Sequence, residues 1–472
     1  MNFKNIFRSF KNKDMLKRIL AIFGIIVAYR LLAHIPVPLG DASTFKEAIS
    51  NLIAQTDFGG LLNLISGGGL TAFSIILVGL GPYITASIVI QLLTKAIPSL
   101  EELSRDGETG RRKINQWTRI VTVPLAIIQS IAYIFILYQS ITSSGAVLTF
   151  EPTTADWVLS VLAMTAGSTL LMWFGELITE QGIGNGISMM IFASIISQLP
   201  ATLTTLGNAL FDTSQGTLQL FGWFELPVNP TIFWICLGFV IAMLVVIYFL
   251  VKINEAQRII TINYAKRVHG NSTYGGIKSI LPIKLIAAGV IPVIFAMAFL
   301  SLPSLMGQVM VSANPNNSFG TTLVNLFSAP SASNYANMYP DGLTAQWFFY
   351  PAMYFLLVVL FTYFYTSIIF NTREIADNLQ KQGGFIEGVR PGLKTADYLS
   401  RIINRLNLFG SIALGLIAML PFITDYIFIV ITGAPIGLSI SGTGLLIVVT
   451  VALESLRQLN SRALMVTYDE YE

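Results

Sequence analysis

The stretch from Phe58 to Thr94, FGGLLNLISGGGLTAFSIILVGLGPYITASIVIQLLT, contains 37 residues and no charge. A membrane-spanning helix needs about 20 apolar residues, so this run is too long for one crossing and too short for two joined by a turn. Gly67, Gly68 and Gly69 break it. Ahead of the break, Gly59 to Ser66 can form only about two helical turns, roughly 12 Å at 1.5 Å per residue, and so can enter a membrane but not cross it. Backbone that stops at membrane depth must be buried in protein or border a water-filled cavity. A re-entrant element therefore implies a cavity; a short helix lying at the outer interface is the alternative. Downstream, Gly79, Gly81 and Pro82 interrupt the span near its middle and let neighbouring backbone approach closely.

The rest of the chain has the same character. Of 472 residues, 54% are apolar and 11% charged, and the mean hydropathy is +0.68, which excludes a soluble globule. Two His and the lone Cys236 leave too few ligands for a His/Cys metal cluster and no intrachain disulfide. Long uncharged runs cover Ile120 to Phe150, Trp157 to Gly175, Gln181 to Phe211, Leu226 to Val251, Leu343 to Thr372, Leu406 to Thr424 and Tyr426 to Leu453. Together with the opening run, the segment Leu16 to Pro36 and the apolar part of Leu285 to about Leu305, ten crossings result. With the N-terminus inside, 26 of the 28 basic residues fall in five inside regions, and only Arg30 and Lys46 fall outside, beside nine acids. That bias predicts both termini in the cytoplasm. No A-x-A-like site follows the first span, which reads as a retained helix and not as a cleaved signal.

Two inside loops, Lys252 to Lys284 and Asn371 to Arg405, carry six basic residues each and exceed what topology needs. By charge alone they serve orientation and contact with anionic membrane lipid. Gly182, Gly184 and Gly186 around Asn185 read as packing or turn devices. Neither G-x-G-x-x-G nor G-x-x-x-x-G-K-[ST] is present, so no nucleotide cofactor is expected. His34 and His269 fall on opposite sides, and neither H-E-x-x-H nor G-x-S-x-G occurs, which argues against an intramembrane hydrolase. A secondary transporter also uses broken helices, but no ionisable group is identified near the predicted midplane.

The order of residues in the loops says more. Asn263-Tyr264-Ala265-Lys266-Arg267, with Gln257-Arg258 before it and Leu281-Pro282-Ile283-Lys284 and Gly289-Val290-Ile291-Pro292 after it, resembles the loop between helices six and seven of the SecY translocon channel family. Gly388-Val389-Arg390-Pro391-Gly392 is similar to that family's loop between helices eight and nine. Further matches are Arg30 with Ile35-Pro36-Val37-Pro38, Gly81-Pro82-Tyr83-Ile84 with Ser87 and Gln91, Asp106-Gly107-Glu108 with Gly110-Arg111-Arg112-Lys113, Gly182 to Ser188, and Gly442 to Ile447. They follow the family's order through essentially the whole chain.

The resemblance implies an all-α polytopic membrane protein: ten transmembrane helices in two pseudo-symmetric five-helix halves, with a short re-entrant plug helix. The expected organisation is a cytoplasmic N-terminus at 1–15, an N-terminal half at 16–207, an external loop at 208–228, a C-terminal half at 229–457 containing cytoplasmic loops 252–284 and 371–405, and a cytoplasmic C-terminus at 458–472. The implied pore ring is Leu80, Ile84, Ile187, Ile191, Ile294 and Ile447, all aliphatic. Taken singly, each would read as core or lipid contact. The plug corresponds to about 59–70, comprising Gly59, Gly60, Leu61, Leu62, Asn63, Leu64, Ile65, Ser66, Gly67, Gly68, Gly69 and Leu70.

A lateral gate opens between helices two and seven in the family. Gln91 and Asn185 either bias its closed state or only cap or bond a neighbouring helix. Arg258, Tyr264, Lys266, Arg267 and Arg390 correspond to contacts for a SecA-type motor ATPase or the ribosome. The implied function is a passive protein-conducting channel and not an enzyme. It would pass secretory polypeptides across the cytoplasmic membrane, release transmembrane segments laterally into it, bind preprotein and signal-peptide substrates, and assemble with SecE-type and SecG-type small subunits. Ile259 and Gln181 stand where family members commonly have basic residues, which weakens the basic face. The segment 312–343 is long and rich in Asn, Ser and Pro, and carries no assigned function.

Overall fold

The computed structural model describes residues 13–38, 69, 72–143, 153–211, 218–220, 224–264, 267–269, 272–274, 278–286, 288–328, 346–432 and 442–469. Each of the ten sequence runs overlaps a helix among the described residues: α1 (Lys13–Leu32), α2 (Gly81–Ala96), α4 (Gly107–Ser143), α5 (Thr154–Gln181), α6 (Gly186–Leu210), α7 (Pro230–Glu255), α8 (Ile291–Ala313), α10 (Gln346–Ile369), α12 (Leu393–Thr432) and α13 (Gly442–Asp469). Three shorter helices, α3 (Pro98–Arg105), α9 (Ser318–Phe327) and α11 (Thr372–Lys381), lie between them. Among the described residues six helices are long and apolar enough to cross a membrane, or seven if α2 and α3, bent by 107°, count as one span. In α1 and α13 charge shortens the apolar part, through Lys17 and Arg18 in one and Glu454 and Arg457 in the other. Large apolar side chains such as Phe23, Ile128, Leu244 and Phe409 are exposed on the helix surfaces. Such a surface would be an aggregation hazard in water and suits lipid.

The chain divides into two compact units. The first comprises Met1–Leu237, Met297–Pro351 and Phe422–Glu472. In it α1 turns Met15, Ile22 and Tyr29 inward, a seven-residue spacing that lines one helix face, and Tyr29 Oη lies 2.6 Å from Ser194 Oγ on α6. The sequence anticipates a break within the second crossing; the structure puts the start of the regular helix there. Residues 72–80 form successive turns, Gly79 has φ 62°, and Pro82 occupies the first turn of α2, where its missing N–H costs no bond.

The non-helical segment is paired in other ways. Val37 N donates to Phe73 O at 2.8 Å and Ile75 N to Ile35 O at 3.0 Å, Pro36 and Ser74 form an antiparallel bridge, and Ser168 Oγ on α5 donates to Gly79 O at 2.9 Å. Phe73 adopts a left-handed φ of 46°, a conformation costing an L-residue roughly 1–2 kcal/mol. Its ring is held among Val37, Leu77, Val78, Tyr133, Ile134, Leu137 and Met164.

Two segments that the sequence reading places outside contain more structure than their composition suggests. α8 continues past Leu305 to Ala313, and α9 begins at an Asn317 cap whose Oδ1 accepts from the backbone N–H groups of Phe319 and Gly320. It returns along α8 because Gly307 and Gly320 leave room: a Cβ on Gly320 would stand 3.0 Å from Met310 Cβ. Within 208–228, strands β1 (Leu218–Leu220) and β2 (Phe224–Leu226) pair antiparallel.

The second unit comprises Gly238–Ala296 and Ala352–Pro421. Thr366 Oγ1 donates to Asn407 Oδ1 at 3.1 Å, joining α10 to α12, and the Phe295 ring meets Phe361 and Tyr365 edge-on. Outside the helices, β3 (Gln257–Tyr264), β6 (Lys278–Lys284) and β7 (Gly384–Ile386) form one antiparallel sheet in the order β6-β3-β7. A two-residue period sends Ile260 and Ile262 inward. Ile260, Ile283, Ile386, Leu399 and Ile403 form the core beneath the sheet. Strands β4 (Arg267–His269) and β5 (Ser272–Tyr274) pair separately. The all-α expectation thus applies to the membrane part.

The passage of α5 across the turns of 72–80 depends on Gly167, where a Cβ would overlap the carbonyl of Ile75. Gly24, on α1, has nothing within 4 Å of such an atom. Gly167→Ala is expected to destabilise the protein by about 1–3 kcal/mol through overpacking. Gly24→Ala is expected to be neutral or stabilising by up to about 1 kcal/mol, from helix propensity. Thermal unfolding of the two variants in the same detergent checks the opposite signs.

Candidate functional site

Of the six positions expected to form the ring, five are buried and Ile187 is half-buried. Leu80 is the residue before α2, and Ile84 lies one turn on, its N–H bonded to Leu80 O at 3.0 Å. Both side chains are buried. Ile187 and Ile191 occupy successive turns of α6; Ile191 is buried, while Ile187 is half-buried with its Cγ1 3.2 Å from the place a Cβ on Gly175 would take. Ile447 is buried in the second turn of α13, which packs on α6. These five belong to the first unit, and Ile294, buried on α8, to the second. None of the six offers a hydrogen-bonding side chain.

Of the plug positions only Gly69 is described: it is buried and its carbonyl accepts from Ser74 N at 2.9 Å. Gly59 to Gly68 and Leu70 lie outside the described residues. The two residues expected at the gate differ. Asn185 is the N-cap of α6, its Oδ1 accepting from Ile187 N at 3.1 Å and Ser188 N at 3.3 Å, so its amide satisfies backbone donors that a helix start leaves open. Gln91 donates from Nε2 to Ser87 Oγ one turn back at 2.9 Å. Its Oε1 is buried and has no hydrogen-bond donor among the described residues.

Sequence reasoning treats the two basic loops as separate projections, and the structure joins them. β7, from the second loop, pairs with β3, from the first, through Ile262–Ile386, Asn263–Phe385 and Tyr264–Gly384. Arg258 is exposed near the start of β3 and Tyr264 half-buried at its end, against Gly384. Arg390 is exposed in the turn after β7, its carbonyl held by Thr395 Oγ1 at 3.0 Å. Lys266 lies outside the described residues, and for Arg267 the backbone in β4 is described. The signal available in sequence is the alternation Arg258-Ile259-Ile260-Thr261-Ile262, which reads as a strand with one apolar face. Its partners lie too far along the chain to be found by spacing. Among the described residues no three His, Cys, Asp or Glu side chains are grouped to hold a metal.

Six or seven apolar helices of membrane-spanning length among the described residues, with a sheet that joins two basic loops, define a polytopic membrane protein. The SecY family model matches residues 74–456, and the chain belongs to the SecY family. It is 38% identical to the protein translocase subunit SecY of Streptomyces coelicolor over 469 residues, 98% of each chain. It is 36% identical to that of Corynebacterium glutamicum over 471 residues, with the same coverage. A solved protein-conducting channel shares the fold at a TM-score of 0.63 and 18% identity, covering 93% of this chain and 90% of that one. Sec61 from a canine ribosome-channel complex does so at 0.58 and 19%, covering 93% and 90%.

The cap assigns Asn185 a measurable cost. Asn185→Ala is expected to lose about 0.5–2 kcal/mol, and Asn185→Ser to recover most of it because a hydroxyl also accepts the open N–H bonds. Detergent unfolding of both variants, alongside export activity, is the check: a Ser variant as stable as the parent but altered in export would assign the amide to the gate.

Proposed function

We infer that this chain is the protein-conducting channel of a translocon, a reading carried by its full-length membership of the SecY family. A polypeptide cannot cross lipid unaided, because each unpaired backbone group costs several kcal/mol in hydrocarbon. A passage of peptide width must also close when idle and grip no particular sequence. Leu80, Ile84, Ile187, Ile191, Ile294 and Ile447 suit both demands, since aliphatic side chains offer no hydrogen bonds and seal by dewetting. In this reading 59–70 is the plug, and the chain forms two related halves at 16–207 and 229–457, with both termini in the cytoplasm and the channel in the cytoplasmic membrane.

Lateral release follows from side-chain partitioning. At about −0.3 to −0.6 kcal/mol per Leu, ten such residues gain roughly 3–6 kcal/mol by entering lipid, and one or two Lys or Asp at about +2.5 to +3.5 each cancel it. Gln91, whose buried acceptor has no donor among the described residues, is the gate position we favour, a donor from an arriving segment being its partner. Energy comes from outside the chain: the sheet carrying Arg258 and Tyr264, with Arg390 in the turn after β7, would dock the ribosome or a SecA-type motor, Lys266 and Arg267 being further contacts. SecE-type and SecG-type subunits complete the assembly.

Depletion of this chain from cells lacking a second copy is expected to stop both preprotein export and multi-span protein insertion; unimpaired export would refute the reading. Replacing Ile84 and Ile191 together by Gly should raise ion leakage through reconstituted channels about tenfold or more, as a dewetted constriction widens. Planar-bilayer conductance measures it.

A further inference from the structure

The start of α2 lacks backbone partners that most of residues 72–80 have. A helix cannot bond its own first N–H groups, and among the described residues neither Leu80 N nor Gly81 N has an acceptor. No side chain caps this helix. Leu80 and Pro82 are buried, yet Gly81 between them is half-buried, so water reaches its backbone. The missing side chain leaves a gap there. Apart from its own helix and chain neighbours, a Cβ on Gly81 would have one heavy atom within 4 Å, Gln129 Oε1 on α4 at 3.3 Å.

Gln129 is only 6% exposed, and it forms no hydrogen bond or ion pair among the described residues. Ser130 beside it is fully buried, and its hydroxyl has no partner among them either. Elsewhere on α4 the polar side chains are satisfied locally: Thr118 and Thr122 donate to the carbonyls one turn back, at 3.0 and 2.7 Å. Gln129 and Ser130 do not.

We propose that an ordered water sits in the gap at Gly81 and joins Gln129 Oε1 to the open N–H groups of Leu80 and Gly81. Unpaired N–H groups are rare in protein interiors, and a buried water with about two to four polar partners is the common way to satisfy them. Water suits these groups because it accepts from an N–H and donates to a carbonyl oxygen. Gln129 is then a positioning residue for the turn that carries Leu80 and Ile84. It acts from α4, which keeps hydrogen-bonding groups out of the ring itself. The link to the ring rests on the channel reading; the water site does not.

X-ray hydroxyl-radical footprinting of the full chain in lipid nanodiscs tests the site, because radicals formed at a bound water oxidise the side chains beside it. Leu80 is expected to be oxidised severalfold more than comparably buried Leu77, whose N–H is bonded to Ser74 O. Gly81→Ser, which fills the gap, should bring Leu80 down to the level of Leu77. Gln129→Leu should lower the unfolding temperature, because the N–H groups lose their bridge; deleting an amide that has no bonds would leave stability unchanged or raise it. Leu80 as unreactive as Leu77 in the parent, or Gln129→Leu at least as stable as the parent, would overturn the proposal. Leu80 oxidised equally in the parent and in Gly81→Ser would place the water in the passage and overturn the site as well. None of these readouts involves transport, so failure of the channel reading would leave them unchanged.

Discussion

Hydrocarbon offers no partner for a peptide N–H or C=O, so each stretch of backbone at membrane depth must find its bonds within the protein. Helices meet this demand internally, which is why the apolar runs fold as they do. The informative place is residues 72–80, where the helix has not yet begun. There the chain borrows from three sources: the extended Ile35–Val37 segment, the Ser74 hydroxyl, which accepts from Ile76 N at 3.1 Å, and Ser168 on α5. Phe73 tolerates a left-handed backbone because its ring and carbonyl are both in use. Gly167 permits the contact by having no side chain. These interactions fix Leu80 and the first turn of α2, and with them the first two positions of the proposed ring.

The same economy explains the absence of polar chemistry along the proposed path. A hydrogen-bonding group at the ring would hold some sequences longer than others, and a charged one would recruit water when the channel is idle. Aliphatic side chains avoid both. At the turn between α5 and α6, Arg18, Gln458 and Asn185 bond the backbone of Gln181, Gly184 and Ile187. A rigid start for α6 would keep Ile187 and Ile191 in register while other elements move.

Much of this was legible in sequence. The ten apolar runs needed only length and charge, and Gly79, Gly81 and Pro82 marked the irregular second crossing correctly, although the disturbance proved to be the start of a helix and not an interruption of one. Asn185 sat before a helical run with the side chain a cap requires. The joint sheet was not legible as such: β3 announces itself by alternation, but its pairing with β7 spans more than a hundred residues and rests on buried Ile260, Ile283 and Ile386. The α8–α9 hairpin was hidden too, because Asn-rich composition reads as loop while Asn317 acts as a cap and two glycines allow close packing.

The central claim is that a translocating polypeptide passes the aliphatic ring of this chain. Site-specific photo-crosslinking from Ile84 and Ile294 to an arrested secretory chain in native membranes addresses it, with lipid-exposed Phe409 on α12 as control. The account predicts crosslinks from both ring positions and none from Phe409. Absence of crosslinks at the ring, with export active and the substrate jammed in transit, would contradict it.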